Sequence, residues 1–239
     1  MPDGYIALKP SEVSKVYAKH ESAWLSEDIP RRQYERFNKG ELEQFIAGHP
    51  VGPFDALVDC FDTIGWTDDH INSVLEIGAS SGYNGEVLRC AGYDFKYRAL
   101  DYAPAYKRLA NELWPEMEFD IGDALNLPYS IGSFDVVISG CVILHLLDYR
   151  RAIAETSRVA RHYAVFHRTP VWDGPTTWYL KESYDVPMVE CHFNEPELLE
   201  LLADSGLPVI DTIDVYPDEK REVRNVSYVC KKALFHHPV

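Results

Sequence analysis

From residue 73 onward, short apolar runs alternate with stretches of helical periodicity, and this alternation is the tightest constraint on the fold. SVLEIG (73–78), FKYRALD (95–101), MEFDIGD (117–123), SFDVVISG (133–140) and HYAVFH (162–167) read as strands. Helical patterns fall between and after them: one through Val87 and Leu88 that stops at Gly92, PAYKRLANELW (104–114), one around 148–160, and one from Glu195 to Ser205. Asn194 is placed to N-cap the last of these and Gly206 to end it. Right-handed crossovers leave such a chain little choice but a parallel sheet with helices on both faces. LPVIDTIDVY and REVRNVSYVC, joined by PDEK (217–220), read as a closing pair whose link is short enough to require antiparallel pairing. The expected fold is therefore α/β: a doubly wound, mostly parallel seven-stranded sheet with a C-terminal antiparallel hairpin.

The region before residue 70 has a different period. Val13, Val16, Tyr17, His20 and Trp24 fall at helical spacing, as do Phe54, Leu57, Val58 and Phe61, with Pro30, Gly40, Pro50 and Pro53 as punctuation. Residues 1–70 are expected to form an N-terminal helical cap or lid, and 71–239 the core. Residues 168–193, RTPVWDGPTTWYLKESYDVPMVECHF, are long and aromatic for a connector and are expected to serve as a substrate or lid segment.

Charge narrows the classes of partner. With 23 Lys and Arg against 38 Asp and Glu, the net charge is −15, which disfavours nucleic acid and anionic membranes as binding partners. Five cysteines (60, 90, 141, 191, 230) form no CxxC pair, and their odd number argues against a disulfide framework or a metal site. No basic leader precedes an apolar stretch and no apolar run approaches the length of a membrane span, so a cytoplasmic protein is expected. Oligomeric state stays open.

The first core strand ends in Glu76-Ile-Gly78-Ala-Ser-Ser-Gly82-Tyr-Asn-Gly85. In open α/β sheets, ligands bind beyond the carboxyl ends of the strands. Here glycines let a ligand approach the main chain, and the next helix points its first amides at an anion. Alternatively, the glycines only permit a tight turn. As G-x-S-x-G the loop mimics a nucleophile elbow at Ser80, but it follows the first core strand, too early for a hydrolase. As a dinucleotide loop its spacing is G-x-x-x-G-x-x-G rather than G-x-G-x-x-G. Tyr-x-x-x-Lys pairs at Tyr5/Lys9 and Tyr228/Lys232 do not lie on a suitable helix, which weakens an NAD(P)-dependent oxidoreductase.

Four features in order carry a resemblance: Glu76, Gly78 and Gly82; an acid ending the second strand at Asp101, 25 residues after Glu76; GDALNLP (122–128); and SFDVVISGCVILHLLD (133–148). Over residues 73–160 the chain resembles the class I S-adenosylmethionine-dependent methyltransferases, in particular their small-molecule branch. The resemblance implies methyl transfer from S-adenosyl-L-methionine to O, N or C of a small acceptor. A non-catalytic, donor-binding interaction module stays open as an alternative. The implied cofactor residues are Glu76, Gly78, Ala79, Ser80, Gly82, Asp101, Tyr102, Asp123, Ala124 and Ser139. Asp101 would accept from the ribose diol, or else cap the next helix; Asp123 and the Ala124 amide would meet adenine; Tyr102 would pack on its face. Glu76, buried on its strand, is expected to be satisfied by loop amides. His145 and His167 are the catalytic base residues to consider, being near strand carboxyl ends, and Tyr17, Arg168 and Trp172 are the expected substrate contacts. The chain departs from the family in SRVARHYAVFHRTPV, which lacks the Pro-Gly-Gly turn common before the fifth strand.

Overall fold

The apolar runs pair where they can be buried on both faces, and this sets the sheet. The structure, a computed structural model, describes residues 4–65, 71–217 and 221–233. It begins with β1 (Ile6–Ala7) and the helices α1 (Pro10–His20), α2 (Ile29–Gln33), α3 (Lys39–Ile46) and α4 (Gly52–Ile64). The alternating part follows: β2 (Ser73–Ile77), α5 (Tyr83–Cys90), β3 (Lys96–Asp101), α6 (Pro104–Leu113), β4 (Glu118–Ile121), β5 (Phe134–Gly140) and α7 (Tyr149–Val159). Then come β6 (Ala160–Trp172), β7 (Thr177–Ser183), β8 (Val186–Asn194), α8 (Glu195–Asp204), β9 (Val209–Asp214) and β10 (Arg224–Lys231).

The main sheet has the order β4-β3-β2-β5-β6-β10-β9, parallel except for β10, which runs antiparallel to both neighbours. Burial alternates with period two. Leu75, Val137, Ala164, Phe166 and Tyr228 face α7 and α8, whereas Val74, Val136, Ile138, Val165 and Val229 face α4 and α5. Ala99 and Phe119 meet Tyr106 and Ala110 of α6 on the same side as α4 and α5. The doubly wound α/β architecture is as expected. The last two strands pair with each other, but β10 inserts between β6 and β9. The composition explains the order: VSYVC is buried on both sides, while VIDTID exposes alternate residues and carries Asp211 and Asp214, so it suits an edge. Of the turn expected at 217–220, residues 218–220 lie outside the described residues.

The segment 168–193 is mostly strand rather than loop. β6 runs past the end of β5 to Trp172, and β7 and β8 fold into an antiparallel ribbon from Thr177↔His192 to Ser183↔Val186. β8 joins the extension of β6 through Val171↔Phe193 and Trp172↔Asn194, and β1 adds to the free edge of β7. The ribbon therefore stands over the carboxyl ends of the core strands, with α1 packed against it. The expected N-cap of α8 is present: Asn194 Oδ1 accepts from Glu197 N at 3.0 Å. No helix among the described residues is long and apolar enough to cross a membrane.

Close packing of α5 on β3 yields one stability test. A Cβ on Gly85 would fall 2.6 Å from the Tyr97 ring, which is pinned through its hydroxyl to Glu76. Gly85→Ala gains about 1 kcal/mol of helix propensity but overpacks a ring that cannot swing away, so we expect a net loss of about 1–2 kcal/mol in urea unfolding. Unchanged or increased stability would show that the ring moves freely.

Candidate active site

β2 ends at Ile77 and the chain turns through Gly78, at φ +67°, where a Cβ would meet Val142 Cβ at 2.7 Å. Sterics and backbone therefore both require glycine there. The loop is fastened to β3: Ala79 N donates to Leu100 O at 3.0 Å and Ser80 N to Asp101 Oδ2 at 3.1 Å. Asp101 Oδ1 accepts from Ala103 N at 3.1 Å, so one carboxyl ties the β2–α5 loop to the entry of α6. Burial pushes Asp101 up to about 6, against the pull of those amides.

Glu76 lies beneath the loop, 1% exposed. Its Oε1 accepts from Asn84 Nδ2 at 2.7 Å and its Oε2 from the Tyr97 hydroxyl. Side chains, not the expected loop amides, thus satisfy it. Burial raises it to about 7, although both hydrogen bonds favour the ionised form. Gly140 makes the space, since a Cβ there would meet Glu76 Oε1 at 2.3 Å.

Above these elements is a cavity of about 470 Å³. Gly78, Ser80, Asp101, Tyr102, Asp123 and Ala124 line it, and Tyr17, Trp24 and Gln33 close it from the N-terminal helices. Asp123 Oδ1 accepts from Leu125 N at 2.8 Å, and the Tyr102 hydroxyl donates to Glu21 O at 3.2 Å. A second cavity, about 590 Å³, adjoins it under the β7–β8 ribbon. Trp24, Cys141, His145, Arg168 and Tyr184 line both.

His145 is therefore at the junction. Its Nδ1 lies 3.0 Å from Val189 O, which can only accept, so the proton is on Nδ1 and Nε2 keeps its lone pair. Burial lowers its pKa, and the neutral form prevails. The other sequence-derived residues divide. Gly78, Ser80, Asp101, Tyr102, Asp123, Ala124, Tyr17 and Arg168 meet at the cavities. Glu76, Ala79, Gly82 and Ser139 line neither: Ala79 and Gly82 belong to the loop itself, while Glu76 and Ser139 are buried on the strands below it. His167 also lines neither: it is 2% exposed, with Nδ1 2.9 Å from Ser227 Oγ, because its side chain points between sheet and helix rather than past the strand end. Trp172 is spent on its own turn, donating from Nε1 to Pro175 O at 3.1 Å over Gly174.

Several residues at the site carried no sequence signal. Gln33 Oε1 accepts from Ser80 Oγ at 2.9 Å and from the Tyr106 hydroxyl at 2.8 Å, and its Nε2 donates to the Tyr184 hydroxyl at 3.2 Å. Lys181 and Glu190 pair in the wall of the second cavity, joined by Tyr5, whose hydroxyl donates to Glu190 at 3.1 Å, and by His192, whose Nε2 is 3.1 Å away. Burial would raise Glu190, yet His192 and Lys181 hold it down to about 2. Ser80, Cys141, Arg168 and Tyr184 all line a cavity, and with Asp185 they are the non-glycine residues of positive φ among the described residues. Such backbones cost about 1–3 kcal/mol each and persist where the surroundings over-determine them. Among the described residues, no group of three or more His, Cys, Asp or Glu is placed to hold a metal.

Residues 75–166 match the family described as a methyltransferase domain. A probable S-adenosylmethionine-dependent methyltransferase of Mycolicibacterium smegmatis is 31% identical over 146 residues, 60% of this chain and 54% of that protein. Ajmaline N-methyltransferase of Rauvolfia serpentina is 35% identical over 95 residues, 37% of this chain and 32% of its own. The chain thus spans about half or less of these relatives. Among solved structures, Burkholderia thailandensis 1,6-didemethyltoxoflavin-N1-methyltransferase, with its substrate and S-adenosylhomocysteine bound, superposes with a TM-score of 0.61. That match covers 98% of this chain and 97% of the other at 17% identity, which establishes a common fold. The ordered motifs, the fold and these matches agree: residues 75–166 match a methyltransferase domain, set in a fold shared with solved methyltransferases.

The buried imidazole of His167 generates a pH prediction. Burial, reinforced by neighbouring Arg168, pushes it down to about 3, below the unfolded-chain value of about 6.5. Its contribution to stability is complete above the unfolded value and is lost progressively as pH falls from there toward about 3. Urea unfolding should therefore show the wild type losing more stability than His167→Asn between about pH 7 and pH 4. Parallel pH profiles would contradict this placement.

Proposed function

We propose that the protein transfers a methyl group from S-adenosyl-L-methionine to O, N or C of a small-molecule acceptor. The single observation carrying this reading is Asp101: a buried carboxyl at the end of β3, lining the first cavity and tied by Ser80 N to the loop after β2 and by Ala103 N to the entry of α6. The residues fit the donor chemically. Gly78 provides a cradle that a Cβ would fill, and a carboxylate with spare lone pairs suits a diol. When bound, the donor supplies an already activated methyl group on a sulfonium.

The chain's own tasks are then binding and positioning. Asp101 accepts from the ribose hydroxyls; Asp123 and the Ala124 amide meet the adenine edge, with Tyr102 beside it. Gly78, Ala79, Ser80 and Gly82 shape the methionine end, while Glu76 and Ser139 support them from below. His145, neutral with its Nε2 lone pair available, takes the proton of an acceptor O–H or N–H. Tyr17 and Arg168 contact the acceptor. Residues 1–70 and the 168–193 ribbon act as lid and acceptor wall, excluding water from the reacting centre. A small acceptor is in keeping with the small molecules for which the ajmaline and toxoflavin enzymes are named, and the net charge of −15 disfavours nucleic acid or an anionic membrane. All five cysteines are free, which suits the cytoplasm.

Thermal-shift measurements test the donor. S-adenosylmethionine and S-adenosylhomocysteine at about 100 times Kd should each add about 2.7 kcal/mol, whereas NADH and NADPH should add nothing. Stabilisation by the nicotinamides alone would refute the proposal. By calorimetry, Asp101→Ala should weaken S-adenosylhomocysteine about 10- to 100-fold, the cost of charge-assisted hydrogen bonds. Wild-type affinity should also fall as pH drops below about 6, where Asp101 gains a proton. Unchanged affinity on both counts would remove the ribose assignment.

A further inference from the structure

Arg168 stands where the two cavities meet, and it lines both. It follows His167, the last β6 residue paired with β5, and its backbone is held at φ +58°. Its amide donates to Ser227 Oγ at 3.4 Å. A guanidinium carries a permanent charge and five N–H donors, so a protein that encloses one normally supplies a carboxylate. Among the described residues, the Arg168 side chain has neither an ion pair nor a hydrogen bond. Cys141, Tyr83, Tyr216 and Tyr184 feel its charge, as does its chain neighbour His167. Glu41, half-buried on α3, also feels it but makes no ion pair with it.

The rest of the second cavity is balanced. Lys181 is committed to Glu190, and Arg221 and Glu222 at the rim are of opposite sign. What remains is one positive charge facing a space of about 590 Å³, walled by Trp24, Tyr184 and Tyr5. We propose that this charge selects the acceptor: a compact aromatic or heteroaromatic molecule bearing a carboxylate, which Arg168 holds so that the reacting atom faces Cys141 and His145. The planar fork of the guanidinium matches a carboxylate bidentately and would fix orientation as well as affinity. This inference rests on the methyltransferase reading above. The donor's amino-acid end also carries a carboxylate, but the glycine loop that would cradle it follows β2. Arg168 is on β6, two strands across the sheet from β2, and its charge also reaches Tyr83 at the start of α5, so the donor's carboxylate is the competing partner that titration of Arg168→Gln separates.

The test uses the full chain, saturated with S-adenosylhomocysteine, and calorimetric titration with benzoate, 2-naphthoate and indole-3-carboxylate beside their carboxamides. The wild type should bind at least one carboxylate about tenfold more tightly than its amide. Arg168→Gln should bring that ratio to about one while leaving S-adenosylhomocysteine affinity unchanged. Binding of no carboxylate by the wild type, or equal binding of carboxylate and amide, overturns the proposal without reference to any variant. It is also overturned if Arg168→Gln weakens S-adenosylhomocysteine but not 5′-methylthioadenosine, which lacks the amino-acid end, because Arg168 then serves the donor. Failure of the wild type to bind S-adenosylhomocysteine would instead sink the methyltransferase reading, and the carboxylate comparison on unliganded protein would still decide this one.

Discussion

One carboxyl group organises the site. Asp101 accepts from Ser80 N and Ala103 N, so the loop leaving β2 and the turn entering α6 are set against the same two oxygens. Each hydrogen bond to a charged acceptor is worth about 1.5–3 kcal/mol, and burial makes the alternative, an unpaired carboxylate, worse. The loop can therefore hold Ser80 at φ +53° and present Gly78 to the cavity. Glu76 repeats the device one layer down, where Asn84 and Tyr97 hold it in the gap left by Gly140. Two buried acids thus fix the donor side from below, each meeting neighbours on adjacent elements.

Much of this was legible in the sequence. β2 and β5 are buried on both faces, so they read as unbroken apolar runs, and the small and acidic residues at their carboxyl ends mark the cavity directly. The sequence singled out residues 168–193, Tyr17 and Arg168, but the polar wall of the second cavity was not legible, for a physical reason. β8 is a buried strand, yet it carries Glu190 and His192 where apolar residues would signal burial. Glu190 pairs with Lys181 of β7 and lies within hydrogen-bond reach of His192, a partnership between strands that no linear spacing reveals. The extension of β6 was hidden likewise by His167, Arg168 and Pro170 in sequence, although Pro170 pairs opposite Asn225 of β10. Gln33, a single amide in a short helix, has no pattern at all. Local rules fail here where the polar residues of the site interrupt them.

The N-terminal helices are held to the rest by contacts of a different kind. Arg32 donates to Tyr184 O, and Arg36 to Asp185 at 2.9 Å, at the tip of the ribbon. Arg36 and Asp185 are exposed, and such pairs contribute only about 0–1 kcal/mol each. Ile29, fully buried beside Met188, is the apolar anchor of the same contact. The enclosure of the first cavity therefore combines solvated ion pairs with the burial of Ile29, the hydrogen bonds of Gln33 to Ser80, Tyr106 and Tyr184, and the packing of Trp24 on His145 and Tyr184.

The continuity of β6 has a mechanical consequence. The same strand pairs with β5 inside the core and, a few residues later, with β8 in the ribbon. The β7–β8 ribbon is thus rooted in the core sheet and cannot swing without bending that strand. The helices between Pro10 and Ile46 contribute no strand to that sheet and are held to it through side chains. If the N-terminal helices act as the proposed lid, ligands pass on their side, with the ribbon as a fixed jamb.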